Sequence, residues 1–141
     1  MIIRNARRCK TRSLVVDDEL ISRMLLQKLL APFGECHIAV NGKEAIEAFI
    51  LSIKNKQPYN LICLDIMMPG IDGKKVLQAI REMEAKIGIS TANRAKIIMT
   101  TAKDDSESVM LTVVKYKCDS YILKPINKVK LITRLREIGL I

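Results

Sequence analysis

Asp17, Asp18, Asp65, Thr100, Thr101 and Lys124 are the residues of this sequence whose types and positions could do chemistry together. Asp17-Asp18 follows the apolar run Ser13-Leu14-Val15-Val16, and Asp65 ends Leu61-Ile62-Cys63-Leu64. Thr100-Thr101 closes the run from Lys96 to Met99, and Lys124 follows Ser120-Tyr121-Ile122-Leu123. Three carboxylates brought together repel one another, and a bound divalent cation relieves the repulsion. Magnesium suits such a place because it takes oxygen ligands, keeps several waters and shares its remaining positions with phosphate. A lysine and a threonine hydroxyl facing the same pocket add a positive charge and a hydrogen-bond donor. The set describes a seat for a dianionic phosphoryl group, where catalysis is chiefly positioning and charge neutralisation. Each piece alone has an ordinary explanation: a helix cap beside a solvated acid, the start of a turn, a Lys-Pro loop. Their order at the ends of successive strands is the specific signal.

The elements that must position these residues alternate in type. Ser13 to Asp17 reads as a buried strand, followed by Ile21, Met24, Leu25 and Leu29 at helical spacing over Leu20 to Ala31, closed by Pro32 and Gly34. Cys36 to Val40 reads as the second strand, and Ala45, Ile46, Phe49, Ile50 and Ile53 mark an amphipathic helix after the Asn41-Gly42 turn. Leu61 to Asp65 is the third strand, and Asp72 can cap a helix carrying Val76, Leu77, Ile80 and Ile87. Lys96 to Thr100 is the fourth strand, a weaker helix runs from about Asp105 to Lys115, and Ser120 to Leu123 is the fifth strand. Asn127 caps a last helix with Val129, Leu131, Ile132 and Leu135. Strands alternating with helices through short connections imply an α/β domain with one doubly wound parallel sheet of five strands and five helices. Near-continuous apolar strands fit burial on both faces. In such a sheet ligands sit outside the carboxyl ends of the strands, which is where the six residues fall.

Leu14-Val15-Val16-Asp17-Asp18-Glu19, the run from Leu64 to Gly73 (Leu-Asp-Ile-Met-Met-Pro-Gly-Ile-Asp-Gly), Met99-Thr100-Thr101-Ala102 and Tyr121-Ile122-Leu123-Lys124-Pro125 resemble the motifs of bacterial response-regulator receiver domains. The resemblance covers about residues 13 to 140. It implies a flavodoxin-like strand order, 2-1-3-4-5. It implies Asp65 as the nucleophile that takes a phosphoryl group from a histidine kinase or phosphotransfer protein. Asp18, Asp65 and the backbone carbonyl of Met67 would ligate Mg2+, with Asp17 supporting the ion mainly through water. Lys124 would pair with a phosphoryl oxygen, and its bond to Pro125 would be cis. Thr101 matches the switch hydroxyl because small Ala102 follows it, and Tyr121 matches the aromatic whose rotamer reports that hydroxyl. The face made by the fourth helix, the fifth strand and the fifth helix would then present a changed surface to a downstream protein. Such a chain is a signalling module rather than an enzyme, supporting only its own phosphoryl transfer and a slow self-dephosphorylation. Met67 and Lys103 stand where the family controls the water that attacks the aspartyl phosphate, and Met67 offers no polar group to orient it. Lys117-Cys118 departs from the family's Gly-Ala, so a backbone needing positive φ there would be strained. The Ala85 to Arg94 link is longer than usual.

Composition agrees with one domain of 141 residues, 49% apolar and 28% charged. No apolar run is long enough to cross a bilayer, and no secretory h-region follows the basic start, so a cytoplasmic chain without membrane insertion is expected. Cys9, Cys36, Cys63 and Cys118 form no CxxC pair, and Cys36 and Cys63 lie in apolar runs as small buried thiols. Of the net charge of +9, +5 lies within residues 1 to 12, a basic and flexible arm preceding a domain of residues 13 to 141. That arm supports an alternative, a nucleic-acid-binding regulator; a solvated tail is the preferred reading. Nothing after Ile141 provides an output domain, so output is expected through a partner or onward phosphorelay. A small hydrolase built on the same acids ranks last, because it lacks a separate general acid. His37 has no acidic or cysteine neighbours at ligand spacing and is expected to have a structural or surface role. Lys115, Lys117, Lys128, Lys130, Arg134 and Arg136 cluster near the output face, as a dock for an acidic partner or as a solvated surface.

Overall fold

The computed structural model describes residues 10–102 and 117–141. Five strands, β1 (Ser13–Val16), β2 (Cys36–Ala39), β3 (Leu61–Asp65), β4 (Lys96–Thr101) and β5 (Ser120–Leu123), form one sheet in the order β2-β1-β3-β4-β5. Every pairing is parallel. Among the described residues there are four α-helices: α1 (Leu20–Leu30), α2 (Gly42–Lys54), α3 (Gly73–Lys86) and α4 (Lys128–Glu137). The helix expected from Asp105 to Lys115 lies outside the described residues, as do Cys9, Lys103 and most of the basic arm.

Strand parity sorts the core into two layers. Leu14, Val16, Ile62, Leu64, Ile97 and Met99 point to the side covered by α2 and α3, where Phe49, Val76, Leu77 and Ile80 meet them. Val15, Cys63, Ile98 and Ile122 point to the other side and pack on Leu26 and Leu30 of α1 and Leu131 and Leu135 of α4. Strands covered on both faces have no room for polar alternation, which explains their continuous apolar runs.

Side-chain caps set the helix starts. Asp72 and Asn127 accept hydrogen bonds from the N–H groups of Lys75 and Lys130, at 3.0 and 2.9 Å. Asn41 caps α2 by accepting from Glu44 N–H, while the Glu44 carboxylate accepts from Val40 N–H. That reciprocal cap draws Val40 out of the second strand, which ends at Ala39. The fourth strand runs one residue further than its apolar pattern, because Thr101 pairs with Leu123.

The fold also begins earlier than the charge pattern implies. Thr11 N–H donates to Phe33 C=O, and Arg12 N–H donates to Asn60 Oδ1. The Arg12 side chain, assigned to the basic arm, donates to Gln57 C=O, pairs with Glu35 and lies over the Tyr59 ring. His37 bridges the same cluster, with Nδ1 2.8 Å from the Tyr59 hydroxyl and Nε2 2.9 Å from Glu35. This is the structural role expected for it.

Candidate functional site

Glycine 73 explains how Asp65 is held. A Cβ at Gly73 would sit 2.1 Å from the Asp65 carbonyl oxygen, so only glycine lets the first turn of α3 rest on the end of β3. Gly73 N–H donates to Ile66 C=O at 3.0 Å, and Ile66 N–H donates to Thr100 C=O. The residue that follows Asp65 is thereby fixed through both its N–H and its C=O. Its Oδ1 accepts from Met67 N–H at 3.2 Å, turning the carboxylate toward the loop that leaves the strand.

The parallel register brings the expected partners to the same edge. Asp17 is fully buried and Asp65 is 4% exposed, while Asp18 is open to solvent. Ligand oxygens of all three lie within 4.8 Å of one another. Lys124 reaches back over the edge, with Nζ 3.0 Å from Asp17 Oδ2 and 3.5 Å from Asp65 Oδ2. Asp17 Oδ1 accepts from Glu19 N–H, and its carbonyl accepts from Arg23 at the start of α1. The Lys124–Pro125 peptide is cis, as the resemblance implies.

Among the described residues one lysine meets these three acids and does not neutralise them. Burial pushes the Asp65 carboxyl up to about 7, the Asp17 charge adds to the rise, and Lys124 only partly opposes it. Burial alone would lower the Lys124 pKa. The hydrogen bond to Asp17 and the charge of Asp65 outweigh that, and the ammonium is held above its ordinary value. The pocket is therefore short of positive charge. Hard carboxylate oxygens at this spacing fit Mg2+, which also tolerates the water-filled outer positions that exposed Asp18 leaves.

Thr100 and Thr101 occupy opposite faces. The alternation that places Met99 and Tyr121 on the α2/α3 side places Thr101 there as well, and places Thr100 on the side of Asp65, its register partner. Both threonines are buried. Thr101 Oγ1 lies 3.3 Å from the carbonyl of Ala102. Tyr121 is half-buried against the core, and the Arg134 guanidinium lies 5.7 Å from its ring centroid. Met67 is exposed beside Asp65.

The basic cluster is divided. Lys130 Nζ donates to Leu123 and Pro125 carbonyls, and Arg134 pairs with Glu137 and donates to Tyr121 C=O. Those two charges are spent on the fold, whereas Lys117, Lys128 and Arg136 are exposed; Lys115 lies outside the described residues. Lys117 has φ of +61°, the left-handed conformation expected where the family places glycine.

Sequence reasoning missed the role of Arg81. Its guanidinium donates to Glu84, Asp119 and the carbonyls of Ala95 and Lys117. Glu84 and Asp119 in turn accept from Ala95 and Ile97 N–H groups. The i,i+3 pair Arg81/Glu84 was the only local signal.

Comparison with known proteins agrees with this geometry. The family model for the response regulator receiver domain matches residues 13–136. A probable transcriptional regulator, ycf27, of Cyanophora paradoxa is 36% identical over 130 residues, covering 92% of this chain and 48% of that protein. The transcriptional regulatory protein ResD of Bacillus subtilis is 35% identical over 130 residues, with the same coverages of 92% and 48%. The chain thus spans about half the length of the curated relatives it matches. The receiver domain of the histidine kinase CKI1 from Arabidopsis thaliana, complexed with Mg2+ and BeF3−, superposes with a TM-score of 0.78 at 26% identity, covering 96% of this chain and 94% of that one. The chemotaxis protein CheY4 of Vibrio cholerae shares the fold, with a TM-score of 0.74 at 22% identity over 92% of this chain and 98% of that one. Among the described residues no helix is long and apolar enough to cross a membrane. With its acids, lysine and cis-proline at the strand ends of a 2-1-3-4-5 sheet, the chain belongs to the response-regulator receiver domain family of two-component signalling.

Proposed function

We propose that Asp65 accepts a phosphoryl group from a phosphohistidine on a histidine kinase or phosphotransfer protein, and that the phosphorylated state is read by a protein partner. The observation that carries this reading is the single ammonium of Lys124 shared between Asp17 and Asp65. A structural ion pair would need one acid, and this pocket gathers three. In the transfer an Asp65 Oδ attacks phosphorus and the P–N bond of the donor breaks. Its electron pair returns to the imidazole, which takes up a proton.

Asp18 and Asp65, with the Met67 carbonyl, would hold Mg2+, and Asp17 would act through water; the ion supplies charge neutralisation to the phosphoryl oxygens. Asp17 already accepts from Glu19 N–H and Lys124, which supports an indirect role for it. Lys124 follows the phosphoryl oxygens as they arrive between the acids.

Thr101 and Tyr121 form the proposed switch. The new oxygens draw the Thr101 hydroxyl toward the Asp65 edge, and the space it leaves on the α2/α3 side accepts the Tyr121 ring. Their shared face supports that coupling. Exposed Met67 orients no water, so self-dephosphorylation is slow; a phosphoryl half-life of seconds would count against this. The deciding experiment incubates wild type and Asp65→Asn with acetyl phosphate or beryllofluoride plus magnesium. Amide shifts at Thr101 and Tyr121 are expected in wild type alone, and an equal response in both proteins would end the proposal.

A further inference from the structure

Far from the acids, a groove of about 260 Å3 opens between the C-terminal halves of α2 and α3. Ile50 and Ile53 form one wall and Met83 and Ile87 the other, with buried Phe49 beneath. Ile50 and Ile87 are 38% and 54% exposed. Lys54 and Lys86 edge the groove, one from the last turn of each helix. Neither forms an ion pair with a described residue, whereas Arg134 in the last turn of α4 is paired with Glu137. A lysine in a last turn complements its own helix dipole, which accounts for the two charges. It does not account for the apolar side chains left open between them.

The occupant follows from size and charge. Besides the two ammonium groups, no polar side chain lines the groove. Its volume falls below the roughly 300 Å3 at which ligand pockets begin. Apolar side chains of a helix laid along the groove fit both facts. A second copy of this chain, with its net charge of +9, is repelled at an edge made of free lysines. We propose that the groove docks a separate protein through an amphipathic helix, its apolar face filling the groove and its flanking glutamates or aspartates meeting Lys54 and Lys86.

Position decides what such docking does. α3 starts at Gly73 against Asp65 and runs for 14 residues, so its far end lies about 20 Å away at ~1.5 Å per residue. A partner held there leaves Asp65 open to its donor and binds whatever the phosphorylation state. The groove recruits, and the acid pocket switches.

The test titrates the full chain into two fluorescein-labelled helical peptides with the same leucine stripe, one carrying glutamates on its flanks and the other lysines. Anisotropy should show saturable binding of the glutamate peptide alone, weakening as salt rises. Amide shifts should centre on Ile50, Ile53, Met83 and Ile87. Lys54→Glu with Lys86→Glu should weaken binding roughly tenfold, while Asp65→Asn leaves it unchanged. Should that double variant lose its thermal transition, Ile87→Asp replaces it with the same expected loss. No binding, equal binding of the lysine peptide, shifts centred elsewhere, or insensitivity to these substitutions would overturn the proposal.

Discussion

Two charge clusters, one at each end of the sheet, are built from similar parts and do opposite things. At the amino ends of β4 and β5, Arg81 meets Glu84 at 2.6 Å and Asp119 at 2.9 Å, and Arg94 adds a further cation 3.6 Å from Asp119. The remaining carboxylate lone pairs take backbone N–H groups of Ala95 and Ile97. Two cations meet two acids, and each carboxylate oxygen has a partner. At the carboxyl ends, Lys124 is the one cation among the described residues that pairs with the acids, meeting Asp17 and Asp65 beside Asp18, and the Asp65 carboxyl is driven up to about 7 by burial and by its acidic neighbour. The first cluster clasps α3 to two strands. The second is left short of positive charge, and that deficit is what a cation and a transferring phosphoryl group can fill. Incomplete compensation in a well-packed edge is the feature on which the proposed role of Asp65 rests.

The sharpest way to break this contrast is Asp65→Asn. Phosphoryl uptake from acetyl phosphate should disappear, as read by intact-protein mass, while the fold gains stability because the least compensated carboxylate is gone. A variant that still takes up one phosphoryl group would refute the assignment. Arg81→Met should do the reverse. It leaves buried Glu84 without a cation and Asp119 with Arg94 alone, and breaking a buried pair in this way costs about 3–5 kcal/mol. Urea midpoints would measure the loss, and the folded fraction should still respond to beryllofluoride. A loss under 1 kcal/mol (roughly the worth of an exposed pair) would show that the clasp is not a structural unit.

The two clusters also differ in how far the sequence disclosed them. Asp17, Asp65 and Lys124 each terminate an apolar run, so strand periodicity alone places them on one edge once the sheet is parallel. Asp72 and Asn127 announce the helix starts because capping is local chemistry. Lys117 stood out because its neighbours resemble a motif with glycine there, and its φ of +61° follows. Arg81 carries no such signature: three of its four partners lie 14 to 38 residues away, and only Glu84 is near enough to suggest a pairing. Arg12 was hidden for the same reason, since its ties to Gln57 and Asn60 span 45 and 48 residues. The basic residues around it made it look like tail. The Thr101–Tyr121 relation was half visible, because parity puts both on one face but no pattern states how closely they pack.

The acid deficit also predicts a pH signature in the absence of divalent cations. Asp65 ionises near 7 in the fold and at an ordinary 3.8 when unfolded. Below about pH 4 both states are protonated and the group contributes no penalty. As pH rises toward 7 the unfolded chain releases its proton first, so stability falls across that window and then levels off. The fall should be a few kcal/mol, at about 1.4 kcal/mol for each unit by which the folded carboxyl is raised. Chemical denaturation from pH 4 to 8 should show this slope in wild type and lose it in Asp65→Asn. Millimolar Mg2+ should flatten it as well, since cation binding favours the ionised fold. A slope that persists in Asp65→Asn would assign the deficit to another group.

Lys117→Gly gives the smallest test, because it changes the turn at the compensated end while leaving Arg81, Glu84, Arg94 and Asp119 in place. Lys117 holds a left-handed backbone at the point where Arg81 Nε bonds its carbonyl at 3.1 Å. A side chain in that conformation costs about 1–2 kcal/mol, of which the extra unfolded-state freedom of glycine offsets roughly 0.5–1 kcal/mol. The variant should therefore gain about 1 kcal/mol in denaturation, with no change in phosphoryl uptake. In an Arg81→Met background the Lys117 carbonyl loses its anchor, the turn can relax, and the same substitution should gain less. Equal gains in both backgrounds would mean that the turn is held by its own backbone, not by the guanidinium, and would confine the clasp to Glu84, Ala95 and Asp119.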